Sequence, residues 1–183
     1  MNNIIKYQSD IEQEKIDQQT MLQAMNEHSD LLRRNNPICH FTASSWIVNE
    51  KKDHVLMIYH KIYDSWAWTG GHVDGNEDFL AVAIKEAKEE TGLKNINIIS
   101  KDIFSLEILP VKSHYKNSKF IGAHLHFNVT YLLEAIQADP LILNDVETKG
   151  VKWVKINELK KYVSEKEMLI IYEKLNYKIK NKN

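Results

Sequence analysis

The chain is poor in the residues that cross-link or punctuate small folds. It has one cysteine, Cys39, so no intramolecular disulfide can form and a reducing compartment is expected. It has three prolines, Pro37, Pro110 and Pro140, each expected near an element boundary. No apolar run approaches the ~18 residues that would suggest a membrane span. Met1 to Asp10 is polar and lacks the apolar core of a secretory signal, so the expectation is a cytoplasmic protein with no membrane partner. The net charge is -1, which gives no global field to attract a nucleic acid polymer. An anionic ligand must then be held by local donors or by metal ions. What is present is ordinary globular material: 43% hydrophobic and 27% charged residues over 183 positions, enough for one domain with or without an extension.

Residues 1–36 read as a polar helical extension and residues 37–183 as the main domain. Ser9-Asp10-Ile11-Glu12 has the spacing of a capping box, and a second short helix is expected from Ser29 or Asp30 to Asn36. The apolar stripe of Ile11, Met21, Leu22 and Met25 is thin, which suits a packing arm or a homodimer contact. Phe41–Asn49 and His54–His60 are rich in β-branched and aromatic residues and predict strands, with 49–53 as the hairpin loop. A strong amphipathic helix is predicted over Asn76–Thr91. Further strands are predicted over Asn95–Ser100, Ile103–Leu109, Ile121–Leu133 and Gly150–Ile156. A short helix over Asn157–Tyr162 and a helix from Ser164 to Tyr177 follow, and the Lys-rich tail after Tyr177 is expected to fray. This order implies an α/β fold with a mixed sheet packed between helices.

The chemistry is concentrated between Trp68 and Leu93. Gly70, Gly71 and Gly75 form a glycine-rich loop able to approach a ligand closely. Asn76 is expected to cap the helix and Gly92 to end it. Leu80, Ala83, Ile84 and Ala87 fall on one face, suited to packing on a sheet. Glu86, Glu89 and Glu90 stand at i, i+3 and i+4 and project from one side. Each like-charged pair at that spacing costs about 0.2–0.5 kcal/mol in an isolated helix. A divalent cation would turn that repulsion into ligation, and hard oxygens select Mg²⁺ or Mn²⁺. The carboxylates alone read more readily as a solvated face, and Lys85 with Glu89 as a simple surface pair. The glycine loop shifts the balance.

The segment resembles the Nudix box, G-x5-E-x7-R-E-U-x-E-E-x-G-U, where U is a bulky aliphatic residue. Gly71, Glu77, Glu86, Glu89, Glu90 and Gly92 match at the required spacing, and Leu93 takes the last position. With about a one-in-fifteen chance per position, an accidental match in this chain is on the order of one in 10⁵. His40-Phe-Thr-Ala-Ser-Ser-Trp-Ile-Val48 resembles the first core strand of the family, and Gly150–Leu159 its late strand and helix. Two positions depart from the pattern. Lys85 replaces the arginine whose planar fork can orient two carboxylates. Thr69 stands where many relatives have proline.

The resemblance implies a Nudix α/β/α sandwich with a mixed sheet, and a Mg²⁺- or Mn²⁺-dependent hydrolase cleaving a diphosphate linkage in a nucleoside diphosphate derivative. By the same resemblance, Glu86 and Glu90 are metal ligands and Glu89 is a further ligand or the base. The Gly71 carbonyl is a backbone ligand, and Glu77 and Lys85 support the carboxylates. Glu77 reads equally as a first-turn glutamate favoured by the helix dipole. Glu147 stands where some relatives carry a catalytic glutamate, or is a solvated loop residue. His124 and His126 alternate on one strand and face one side. With His72 they either line a substrate pocket and donate to phosphate or base, or are half-buried structural histidines. A zinc site is disfavoured because no third ligand is evident. Of Trp66 and Trp68, one stacks on a base and the other fills the core. The competing function is a nucleotide-binding or regulatory module on the same fold, which Lys85 favours. An isoprenoid diphosphate isomerase is disfavoured because Cys39 sits ahead of the first core strand.

Overall fold

The computed structural model describes residues 1–61, 64–116, 118–145 and 148–181. Its elements are helices α1 (Asn2–Lys6) and α2 (Glu12–Glu27), strands β1 (Cys39–Val48), β2 (His54–His60), β3 (Ser65–Ala67) and β4 (Thr69–His72), and helix α3 (Phe79–Thr91). Strands β5 (Asn97–Ile98), β6 (Ser105–Val111), β7 (His114–Lys116), β8 (Lys119–Ile121), β9 (His124–Glu134) and β10 (Thr148–Lys155) follow. A 3-10 helix (Ile156–Lys161) and α4 (Lys166–Asn181) end the described chain. Among the described residues no helix is long and apolar enough to cross a membrane. The chain divides into two compact units. The first is Met1–Ser44, Gly70–Ala83 and Lys101–Tyr131, and the second is Ser45–Thr69, Ile84–Ser100 and Leu132–Asn183.

In the first unit, β1 lies beside β9, and Leu125 N donates to Ile38 O at 2.8 Å. β6 runs antiparallel to β9 from Ser105 opposite Thr130 to Val111 opposite His124. β4 pairs with β1, and β7 with β8 makes a separate small hairpin. Among the described residues β6 pairs only with β9, so the backbone groups on its outer side need partners other than a strand. Helix α2 supplies them: Gln13 Nε2 donates to Leu106 O at 3.1 Å, and Ile108 N donates to the Asp17 carboxylate at 2.9 Å. The same parity turns the nitrogen of Pro110 outward. Pro110 therefore sits next to the end of β6, near a boundary as expected, at no cost to the β9 ladder.

Glu14 on α2 is fully buried. Its carboxylate accepts hydrogen bonds from Tyr7 Oη at 2.6 Å, Ser9 Oγ and Ser105 Oγ. Burial, followed by the charge of Glu14, pushes the Tyr7 phenol well above its ordinary pKa, so it stays a donor. Ser9 is turned to this carboxylate and also accepts from Ile11 N at 3.1 Å, so the expected Ser9–Glu12 capping box does not form. Residues 29–36 are turns, not a helix. Asn36 Oδ1 accepts from Ile38 N and Cys39 N at 3.0 and 3.1 Å, while Asn36 Nδ2 donates to Asp30 at 2.8 Å. Side chains that bind the backbone this way compete with helix. The apolar core of the unit gathers on Phe41, whose ring lies 5.4 Å from Phe79 and 5.5 Å from Phe127.

In the second unit the strand order is β10-β2-β1-β9-β5, with β3 folded back on β2. β1–β2, β2–β3, β2–β10 and β5–β9 are antiparallel. Ala135 N donates to Val48 O at 3.0 Å, in step with the Ile38–Leu125 bond, so β1 and β9 run parallel and the sheet is mixed. Tyr172 of α4 stacks on Trp46 at 5.0 Å and meets Trp68 edge-on at 5.4 Å, while Trp68 N donates to its hydroxyl at 3.2 Å. α4 continues to Asn181, past the point where the tail was expected to fray. Tyr172 and Leu175 bury its apolar face, and Asn181 Nδ2 donates back to Tyr177 O at 2.8 Å.

α3 begins at Phe79, later than predicted. Asn76 Oδ1 accepts from Asp78 N at 2.9 Å, and Asp78 Oδ1 accepts from Ala81 N at 3.0 Å, so Asp78 caps the helix instead of Asn76. Gly92 ends it at φ +72, as its position requires. A Cβ there would lie 2.4 Å from Ile142 Cβ.

Two stability outcomes follow. Gly92→Ala lowers the unfolding free energy by about 1–3 kcal/mol, since it combines a left-handed backbone with that collision. Glu14→Ala removes a charged acceptor from three hydroxyls and lowers it by about 1.5–3 kcal/mol. Urea unfolding midpoints check both; a wild-type midpoint in either variant contradicts the stated cause.

Candidate active site and buried histidine cluster

The carboxylates of α3 lie in the second unit and differ sharply in exposure. Glu90 is 4% exposed, the Glu86 side chain 19% and the Glu89 side chain 53%. The i, i+3, i+4 spacing sets them on neighbouring rows. Burial then grades them, because Glu90 borders the packed face that carries Ala87 and Thr91. Lys85 Nζ lies 3.0 Å from Glu89 Oε2 and 3.3 Å from Glu86 Oε1. The lysine thus contacts both carboxylates with a single ammonium. The hydrogen bond to Glu89, then the charge of Glu86, raises its pKa above the usual lysine value. A donor set of carboxylate oxygens, part shielded and part open, fits a hard divalent cation.

The glycine-rich segment belongs to the first unit. It forms β4 rather than a loop, and Gly70 is pressed against β1: a Cβ there would lie 2.5 Å from Ser44 Oγ and 2.7 Å from Ala43 O. Gly71 and His72 follow, both half-buried. Asp74 at φ +47 and Gly75 at φ +93 then turn the chain, and Asn76 N donates to Val73 O at 2.9 Å. Arg34 clamps the turn with two hydrogen bonds to the Asp74 carboxylate and holds that carboxyl below its ordinary pKa. Glu77 is exposed in the bend before α3, so it is not a first-turn glutamate.

Period-two alternation along β1 puts His40, Thr42 and Ser44 on one face. On β9 the matching set is His124, His126, Asn128 and Thr130. Asn128 Oδ1 accepts from Thr42 Oγ1 at 3.0 Å and Ser44 Oγ at 2.7 Å, and its Nδ2 donates to Glu107 and Thr130 at 3.0 Å each. The amide is fully used, in a buried network. Beyond it the four histidines gather. His40 has ring centroids of His72, His124 and His126 at 5.0, 4.8 and 4.9 Å, and His72 lies 4.8 Å from His126. Burial, then the neighbouring His72 and His40, lowers the His126 pKa to about 2; burial also lowers that of His40. The His126 imidazole is therefore neutral.

His40 is the residue that sequence reading missed, and it places a third imidazole beside His124 and His126. Its signal was available in the alternation of β1, but the partner strand was not. Trp68 is 8% exposed and fills the core of the second unit. Trp66 is half-buried, edge-on to Tyr59 at 5.4 Å and Tyr162 at 6.5 Å, with Lys152 Nζ 4.2 Å above its ring. Glu147 lies outside the described residues.

A family model for the NUDIX domain matches residues 40–175. The fold is similar to that of a C. elegans Ap4A hydrolase in a binary complex, at TM-score 0.54 and 22% identity, covering 76% of this chain and 94% of that one. It is similar to a NUDIX family hydrolase from Clostridium perfringens, at TM-score 0.50 and 26% identity, covering 75% and 95%. It is also similar to a bifunctional NMN adenylyltransferase/ADP ribose pyrophosphatase from Francisella tularensis complexed with AMP and an Mn ion. That match has TM-score 0.50 and 19% identity and covers 75% of this chain and 41% of that one. No match was found among curated proteins. With the family domain spanning most of its length on a mixed α/β sheet, the chain belongs to the Nudix hydrolase family.

Proposed function

We propose that the protein is a Mg²⁺- or Mn²⁺-dependent hydrolase that opens the diphosphate linkage of a nucleoside diphosphate derivative by attack of water on phosphorus. The observation that carries this reading is the set of Glu86, Glu89 and Glu90 on α3, two of them engaged by Lys85. When bound, the divalent ion supplies charge neutralisation at the phosphate oxygens and a more acidic water. Glu86 and Glu90, the shielded pair at i,i+4 spacing, hold the ion. Glu89 is open to solvent and takes the proton of the attacking water. Lys85 sets the direction of Glu86 and Glu89. Trp66, half-exposed, offers a face for a nucleobase. The fold likeness to an Ap4A hydrolase and to an enzyme complexed with AMP and an Mn ion supports the nucleotide and metal parts of the reading.

The alternative is a nucleotide-binding module without catalysis. It draws on the lysine at the usual arginine position. The contact of Lys85 with both carboxylates speaks for hydrolysis instead, because that contact preserves the two-carboxylate engagement.

The protein incubated with a panel of nucleoside diphosphate derivatives and triphosphates is expected to cleave a subset with Mg²⁺ and none with EDTA. Glu90→Gln lowers turnover by more than about 100-fold, the upper range for losing a mere supporting partner of a metal ligand. Cleavage that survives EDTA, or tight binding without cleavage, overturns the hydrolase reading. Lys85→Ala lowers kcat by about 10–100-fold, whereas Lys85→Arg retains it. Steady-state kinetics decide, and a wild-type kcat in the alanine variant removes the orienting role.

A further inference from the structure

We propose that His40, His124 and His126 bind a Zn²⁺ ion. This nitrogen-donor site differs in chemistry from the carboxylates of α3, and no part of the proposed hydrolysis uses it.

The first argument is convergence. One donor atom from each of His40, His124 and His126 lies within 4.8 Å of the others. The Nε2 atoms of His124 and His126 are 3.2 Å apart. Tetrahedral ligation at Zn–N lengths near 2.0–2.1 Å needs about 3.3 Å between ligand atoms, so this pair is already set and His40 needs a small approach.

The second argument is orientation. His40 Nδ1 faces Asn36 O at 3.4 Å, and His124 Nδ1 faces Gly122 O at 2.8 Å. A carbonyl oxygen only accepts, so Nδ1 carries the hydrogen in both rings and Nε2 carries a lone pair. Backbone carbonyls holding the far nitrogen of a ligand histidine are the usual outer support of a zinc site.

The third argument is an orphan. His40 is 4% exposed, and its Nε2 has no hydrogen-bond partner. A buried lone pair facing other imidazoles is costly unless a donor or a cation meets it. In these tautomers the inward nitrogens of His40 and His124 offer lone pairs and not hydrogens. Imidazole nitrogens suit Zn²⁺ and its transition-metal neighbours, not Mg²⁺.

A bound ion would join β1, through His40, to β9, through His124 and His126. The site therefore fixes the strand pair.

Full-length protein, stripped with a chelator, is titrated with Co²⁺ as a spectroscopic stand-in and then with Zn²⁺. One equivalent of Co²⁺ is expected to give the intense visible absorption of a tetrahedral nitrogen site, which Zn²⁺ then abolishes. Zn²⁺ is also expected to raise Tm. The His40→Ala variant and the His124→Ala/His126→Ala variant lose the absorption, and Glu90→Gln keeps it, which separates this site from the proposed hydrolytic one. Absence of the absorption and of the Tm rise in the wild-type protein overturns the proposal even if the variants do not fold. Retention of the absorption by both histidine variants overturns it as well.

Discussion

The parallel pairing of β1 with β9 is the constraint on which the polar half of this molecule depends. In the first unit it sets His40, Thr42 and Ser44 beside His124, His126 and Asn128. Both faces of β1 are covered, so every polar side chain on it must find a partner inside the protein. The Asn128 amide satisfies the middle of the stripe completely, and Glu107 takes the remaining donors. The histidines take the end of the stripe, where the Nε2 of His40 is left over. A shift of one residue in this register would turn the polar set into the apolar core.

The edge of the same sheet is managed by the N-terminal helix. Gln13 and Asp17 occupy backbone groups of β6 that no strand pairs among the described residues, and Glu14 anchors the helix through three hydroxyls. A fully buried carboxylate is expensive unless it is saturated with donors, and this one is. Helix α2 therefore covers a strand edge within the first unit. The polarity that leaves it only a thin apolar stripe is the polarity an open ladder needs.

On α3 the helix geometry and the burial work on different scales. Spacing places the three glutamates on adjoining rows, and the cap at Asp78 and the stop at Gly92 fix which turns they occupy. Packing then makes Glu90 shielded and Glu89 open. Lys85 offsets the repulsion between two of the carboxylates without the planar fork of an arginine. Three chemically identical side chains thereby acquire distinct environments.

Much of this was legible in the chain itself. The box from Gly71 to Gly92 carries its family in spacing alone, because helix rows and left-handed stops are local properties of a few residues. The strands β1 and β2, the loop between them and the mixed α/β class followed from local pattern for the same reason. Tertiary structure decided the rest. Glu14 looked like one more polar residue on a thin stripe, and only β6 makes it a buried anchor. His40 looked like the start of a strand, and only β9, remote in sequence, brings His124 and His126 against it. Parallel register between distant strands leaves no local mark, since it is set by the summed fit of two buried faces and not by any short run of residues.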